Sequence, residues 1–580
     1  MMEKWFVAAK RADFQEIGKK FHIDQVTARL IRNRDVVGDD AIRKYLYGDR
    51  KDLHDPRLLK DCSRTADLLK RKIEAGKKIR VIGDYDIDGV NASYILYQGL
   101  TRCGARVDVE IPDRMKDGYG LNQNLIRLAH EEGIDTILTC DNGIAAVNEI
   151  ALAKQLGMTV LITDHHELQE TLPPADAIVN PKQPDCPYPY KSLCGAAVAY
   201  KLMACLHETC GIDVREADAF IEFAAIATVG DVMDLTGENR ILVKEGLKMI
   251  NHTSNCGLRA LIRANGLEEA EISSYHIGFV LGPCINASGR LDTAKRALKL
   301  LLAKDDKQAN ELAIQLKDLN DERKNMTLQG FEKAVRLIEG SPLENDRVLV
   351  VYLPDCHESL AGIIAGRIRE RYHKPVFVLT NASDSTAVKG SGRSIEAYNM
   401  FAEMSKCADL FTKFGGHPMA AGLSLPRENV DLFRQRINAC SELTDEDLIE
   451  KIMIDVPMPI GYITEHLIEE LRVLEPFGKG NTKPVFAEKN LNVLNARILG
   501  KNKNVIKMQV LNGSGMVMDA MYFGDVDVFR EYLTDKFGSP ETEKLFQGRE
   551  NDVTLSVTYY PSVNEFRGNR TLQIVVQNYQ

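Results

Sequence analysis

Three aspartates, Asp84, Asp86 and Asp88, occupy every second position of VIGDYDIDGV (81–90), directly after the apolar residues Ile79, Val81 and Ile82. Like charges this close disfavour one another's ionisation. A lone acidic turn needs only solvent, but a divalent cation is the chemical reason to crowd acids. Other segments end in the same way. DTILTC runs into Asp141-Asn142-Gly143, and MTVLIT runs into Asp164-His165-His166. FAAIATVGDVMDL reads as an apolar helix ending at Gly230, with Asp231 and Asp234 just beyond it. Taken singly, Asp141 could cap a helix starting near Ile144, and Asp231 could be a turn residue. Together they form a hard mixed oxygen and nitrogen donor set, suited to Mn²⁺ or Mg²⁺. So many anionic donors point to two ions, which can hold a phosphate, ionise a water and stabilise a leaving oxygen. Asp141 is the candidate bridge. Asp84, Asp86, Asp88, His165 and Asp231 are the other expected ligands. Asp164 is placed behind the histidines, orienting them.

The elements that must carry these groups alternate strand and helix. Strands are expected at 78–83, 106–111, 136–140 and 159–163, and helices at 91–103, 122–132 and 144–157. Short Val- and Ile-rich runs separated by helices predict a parallel doubly wound sheet, an α/β fold. In such sheets ligands bind beyond the carboxyl ends of the strands, where all three acidic segments fall. Gly89 and Gly143 allow tight backbone beside the crowded site.

At 580 residues the chain predicts three or four domains. A composition of 44% hydrophobic and 27% charged residues is that of a globular protein. No stretch approaches the ~20 apolar residues of a membrane span, and the start, MMEKWFVAAKRADF, lacks the apolar core of a signal peptide. The twelve cysteines include no C-x-x-C pair, which argues for reduced thiols, a cytoplasmic location and no cysteine zinc site. The net charge of −9 weighs mildly against a nucleic-acid partner, but only a local basic track is needed.

Further along, 290–340 is charged with apolar residues near helical spacing, a connecting helix between lobes. Residues 348–353 and 376–379 read as strands of a second lobe. There Arg393, in GSGRS, could fork two hydrogen bonds to a phosphate, and Gly415-Gly416-His417 offers amides and an imidazole at a turn. From about 452 the alternation in NVIKMQVL and NDVTLSVTYY predicts a small β-barrel, with Lys501, Lys503 and Lys507 as its clearest basic cluster. The first fifty residues read as packed helices with basic faces.

GDYDIDG, DNG, DHH and GDVMD together resemble the motifs of the DHH phosphoesterase superfamily. SGRSIEAYN (391–399) and FGGHPMAAGLSL (414–425) are similar to its DHH-associated second domain. INASGRLD (285–292) and LEPFGKGNTKPVF (474–486) resemble the bacterial RecJ family of single-strand-specific exonucleases. At DCHESLAGIIAGRI (355–368) the chain departs from the pattern, with Cys356 in place of Trp and Ser359 in place of Gly.

The resemblance implies that Asp86 and Asp88 are the core of the first motif, and that His166 faces phosphate. It implies phosphate or nucleotide contacts for Arg290, Ser391, Arg393 and His417, and an OB fold for the barrel. Catalysis would rest on Asp141, His165, His166 and Asp231. The implied order is an N-terminal extension (1–50), a DHH domain (51–250), a helical connector (251–345), a DHH-associated domain (346–450) and an OB domain (451–580). The implied activity is 5′-to-3′ degradation of single-stranded DNA to 5′-mononucleotides in repair and recombination. The expected enzyme is a monomer, working beside single-strand-binding protein and a helicase and independent of membranes. The alternatives are a phosphodiesterase for short oligonucleotides or cyclic dinucleotides, which needs no C-terminal platform, and a non-catalytic DNA-binding protein, which would not need the acids and both histidines.

Overall fold

The computed structural model describes residues 3–113, 120–382, 387–500, 503–566 and 568–580. Lys501 lies outside them. Two compact units are formed, one from Leu53–Met233 and Leu242–Glu450, the other from Glu3–Asp52, Asp234–Ile241 and Lys451–Gln580.

In the first unit five strands pair in the order Arg106–Glu110, Lys78–Ile82, Thr136–Cys140, Thr159–Thr163, Ala177–Val179, all parallel. Both faces are covered, which is why the strands read as unbroken apolar runs. Val81, Leu138, Cys140 and Leu161 join the core that also holds residues of the helices Ile87–Arg102, Gly195–Thr209 and Ile221–Gly230. Ile82, Ile137, Val160 and Ile162 face the helices Gln123–Glu131 and Val147–Gln155. The doubly wound sheet is therefore present. Its winding reverses between the first and third strands in chain order, and the crevice of such a sheet opens at that point.

Two helix starts differ from expectation, each because an aspartate behaves differently. The helix after the first strand begins at Ile87, since Asp86 caps it, Oδ1 accepting from the Asp88 and Gly89 amides at 3.0 Å. The helix expected from 144 starts only at Val147, and Asp141 does not cap it but takes a left-handed φ of 60°. The connector is also divided, into Gly282–Leu291, Lys295–Leu301 and the 33-residue helix Asp306–Ile338, about 50 Å long. The second lobe is a five-stranded sheet in the order Lys413–His417, Ala420–Pro426, Ala387–Arg393, Val376–Asn381, Leu349–Tyr352, parallel only in its last pair.

In the second unit Phe486–Leu499 pairs with both Val505–Leu511 and Thr554–Phe566, closing a ring through Val517–Phe523 and Asn569–Tyr579. This is the expected barrel. The helices Gln25–Asn33 and Asp39–Tyr47 bury Leu30, Ile31, Ile42 and Leu46 in the same core as Leu474, Phe486 and Tyr559. Arg240 is buried there over the Tyr45 ring, 4.0 Å from its centroid, donating to the carbonyls of Tyr45, Val473 and Leu474. Lys507 does not extend a free basic track, since it is paired with Asp519 at 2.7 Å. All twelve cysteines are free. Among the described residues no helix is long and apolar enough to cross a membrane.

Glu222, buried in the first unit, has its carboxyl raised by burial from 4.5 to about 7, against a smaller opposing hydrogen bond with Thr253. The folded state therefore holds this proton more tightly than the unfolded chain, and stability is lost as pH rises from about 4.5 to about 7. Glu222→Gln should flatten this dependence and stabilise the first unit by on the order of 1–3 kcal/mol at about pH 8, with little gain at about pH 4.5. Urea midpoints of both proteins at the two pH values measure the effect; an equal gain at both would exclude titration of Glu222 as its source.

Candidate metal centre

Each strand end at the crevice delivers its acid for a local reason. Asp86 and Asp88 lie at the cap and in the first turn of one helix, so they project together. Asp88 is fully enclosed, and the first amides of another helix, Gly195 and Ala196, donate to its carboxylate at 2.6 and 2.7 Å. Asp164 accepts from the amides of Ile144, His165 and His166 and from His166 Nδ1, at 2.7 to 3.1 Å. It holds the His166 ring through Nδ1, but reaches His165 only through the backbone amide, so the expected orientation of both imidazoles is seen for His166 alone.

His165 Nε2 points into the acids, 3.0 Å from Asp141, 3.4 Å from Asp88 and 4.0 Å from Asp231. Three donor groups result, each with ligand atoms within 4.8 Å of one another: Asp84, Asp86 and Asp141; Asp88, His165 and Asp231; and Asp141, His165 and His166. The sheet edge brings together all six expected metal ligands, and Asp141 belongs to both the acid trio and a histidine group.

Burial pushes the Asp141 carboxyl well above its usual range, and the charges of Asp88, Asp86, Asp84 and Asp164 add to this. Asp88 is raised by burial and by Asp86, with His165 opposing. Burial also lowers His165, favouring the neutral imidazole that a metal needs. These acids tolerate their ionised forms only beside positive charge, so the donor set fits hard divalent cations. Asp164, despite burial, is held below its usual range by the His166 bond and charge and by its amide donors. Burial works against protonation of His166, but Asp164 prevails and lifts it to about 9. The His166 side chain is partly open to solvent.

Glycines keep the site compact. A Cβ at Gly195 would lie 2.8 Å from the Asp141 Cβ, and at Gly89 it would lie 2.4 Å from the Asp84 carbonyl oxygen. Asn286 Oδ1 accepts from the Ile87 amide at 2.8 Å, and a Cβ at Gly289 would strike the Tyr85 carbonyl. The helix carrying Arg290 is thus packed against the first acidic loop. Arg290 donates to the Ser359 carbonyl at 2.8 Å, and Arg393 Nη1 to Ser391 Oγ at 3.1 Å. A Cβ at Gly362 would lie 2.7 Å from Arg393 Nη2 and 2.9 Å from Ser391 Oγ. Arg290, Ser391 and Arg393 therefore converge on residues 359–362. His417 is not in this contact. It is exposed on a hairpin, level with Arg393 across the intervening Ala420. His357 caps the short helix Glu358–Leu360, its Nδ1 2.7 Å from Ser359 Oγ.

Gly195, Asn286, Gly289 and Gly362 are absent from the residues expected from sequence. INASGRLD and SLAGIIAG contain three of them, and the small-residue start CGAAVAY was a usable signal for Gly195.

A doubly wound sheet with carboxylates at its reversal point and a D-H-H triplet after the neighbouring strand is the arrangement of a DHH phosphoesterase. Residues 78–228 match the DHH family N-terminal domain, 345–442 the DHHA1 domain and 454–578 the RecJ OB domain. The single-stranded-DNA-specific exonuclease RecJ of Bacillus subtilis is 37% identical over 97% of this chain and 69% of its own length. Crystal structures of RecJ from Thermus thermophilus superpose over the whole chain. The one with Mn²⁺ gives a TM-score of 0.81 at 27% identity, covering 79% of that chain. The one with Mg²⁺ gives 0.76 at 26% identity, covering 78%. The chain belongs to the RecJ family and is a metal-dependent phosphoesterase using Mn²⁺ or Mg²⁺.

Asp141→Ala should abolish hydrolysis and remove most Mn²⁺ binding by calorimetry, while leaving the thermal transition in place. Loss of a shared ligand removes several kcal/mol of transition-state stabilisation, roughly a thousandfold or more in rate. Near-normal turnover in a folded variant would refute the shared-ligand assignment.

Proposed function

We propose that this chain is a single-stranded-DNA-specific exonuclease that removes 5′-mononucleotides processively or singly from the 5′ end, in DNA repair and recombination. The carrying observation is the pairing of the acid and histidine centre with a cradle of Arg290, Ser391 and Arg393 around residues 359–362, in which Arg290 comes from the helix packed against the first acidic loop. Bound divalent ions would supply an ionised water and charge compensation at the phosphodiester. Asp84, Asp86, Asp88, Asp141, His165 and Asp231 would hold them. His166 would offer its Nε2 to phosphate, with Nδ1 held by Asp164 at 2.8 Å. Arg393 and Arg290 grip the backbone, with Ser391 and His417 as further contacts.

The working division is 51–250 for chemistry, 251–345 as connector, 346–450 for substrate and 451–580 as a platform for the strand, with 1–50 supporting the platform. The enzyme is read as a cytoplasmic monomer that meets its substrate beside single-strand-binding protein and a helicase.

Single strands labelled at one end, incubated with Mn²⁺, test the polarity. The 5′ label should appear first as mononucleotide while the 3′ label stays on a shortening strand, and EDTA should stop both. Early release of the 3′ label would overturn the assigned direction. Arg393→Ala should weaken strand binding and reduce the salt slope by about 0.7, the value of one phosphate contact on a single strand. An unchanged slope with poorer Mn²⁺ binding would instead make Arg393 a support of the metal centre.

A further inference from the structure

Two aromatic side chains of the first unit are unusually exposed. Tyr275 and Phe279 show 62% and 69% of their surface, yet their rings stack on each other at 5.1 Å and 29°. They stand on one continuous helical run that begins at Ser274, widens into a π-turn over Ile277–Leu281 and continues through Gly282–Leu291. Its start is fixed by a capping box between Ser273 and His276. Single π-turns occur often at functional sites, and water-facing stacked rings earn nothing for the core.

Their position is set by a neighbour. Gly278, between the two rings in sequence, packs toward Val229, its Cβ position 3.8 Å from Val229 Cγ1. Val229 is two residues before the metal-centre acid Asp231. Val232, directly after that acid, is 62% exposed and holds a left-handed φ of 55°, a costly conformation for a β-branched residue. The run that carries the two rings thus packs against the helix that ends beside Asp231. The same helical run ends at Arg290, about 16 Å from Phe279 along its axis.

We propose that Tyr275 and Phe279 form a stacking platform for an unpaired base of the bound strand, a few nucleotides from the phosphate under attack. The proposal rests on the single-strand reading above. The occupant is a base because the run that carries the rings packs through Gly278 against Val229, on the helix that leads to the metal-centre acid Asp231, because the same run carries Arg290, and because a flat π-face accepts any base without sequence preference. Arg290 and the platform would then hold backbone and base of one strand.

An abasic scan tests this. Single strands carrying one abasic site at successive positions are digested with Mn²⁺ by the full chain and by Tyr275→Ala/Phe279→Ala. The unmodified strand should show KM raised about five- to tenfold in the variant with kcat held, the lower range for one stacked base. One abasic position should raise KM in the parent chain and have no further effect in the variant, the coupling expected of a direct contact. Phe279→Leu keeps apolar area and fold but lacks a π-face, so it should lose affinity as well, whereas a protein-docking patch would tolerate it. If both variants keep the parent KM and abasic profile while remaining folded, the platform is refuted and the ring pair is left as a surface for a protein. If the parent chain itself fails to digest single strands, the proposed function fails, and that result is distinct from a failure of the platform alone.

Discussion

Mutual repulsion among enclosed carboxylates is the constraint around which the first unit is organised. Asp84, Asp88, Asp141 and Asp164 are all buried within one crevice, with Asp86 at its rim. Neutralising them takes cations, histidines and backbone amides aimed inward, and each demands something of the fold. The amides at Gly195 and Ala196 need a helix to begin against Asp88. That approach needs glycine at 195, because any side chain would strike Asp141. Asp141 reaches its place only through a left-handed backbone, a local cost that the surrounding structure offsets. The acids come from the ends of adjacent strands, so the parallel register itself sets how close they stand.

Asp164 and Asp88 show how one residue type takes different parts under this constraint. Asp164 collects three amides and the His166 imidazole, and its carboxyl stays below its usual range despite burial. Asp88 has only two amides and His165 against its burial and the charge of Asp86, and its carboxyl rises. The difference lies in donors supplied by other parts of the chain, not in the aspartates.

That difference also sets what the sequence could tell. Strand ends, their acids and the order of lobes were legible because each is local: an apolar run stops and a motif follows. The stretches Thr136–Cys140, Thr159–Thr163 and Ile221–Gly230 fall where the apolar pattern put them. Contacts between distant segments were not legible. The bond from Gly195 to Asp88 spans 107 positions and that from Arg290 to Ser359 spans 69, and composition at either end does not announce its partner. The connector reads as one helix because its apolar spacing continues. Its breaks depend on backbone detail, such as Asp305 capping the long helix through the Gln308 amide. Lys507 looked available for DNA because Asp519 faces it only once the strands pair.

The core of the second unit draws on both ends of the chain. Leu30 and Ile42 share it with Phe486 and Tyr559, and Arg240 completes it from the middle. During synthesis the early helices emerge with their apolar faces bare, and their partners are roughly 400 residues away. At ~5–20 residues per second that is a delay of roughly 20–80 seconds. Over the same interval the parallel sheet is already complete and can fold. The ribosome therefore delivers the parallel sheet and its acids well before the barrel exists, and the first fifty residues are the segment most in need of a chaperone while they wait.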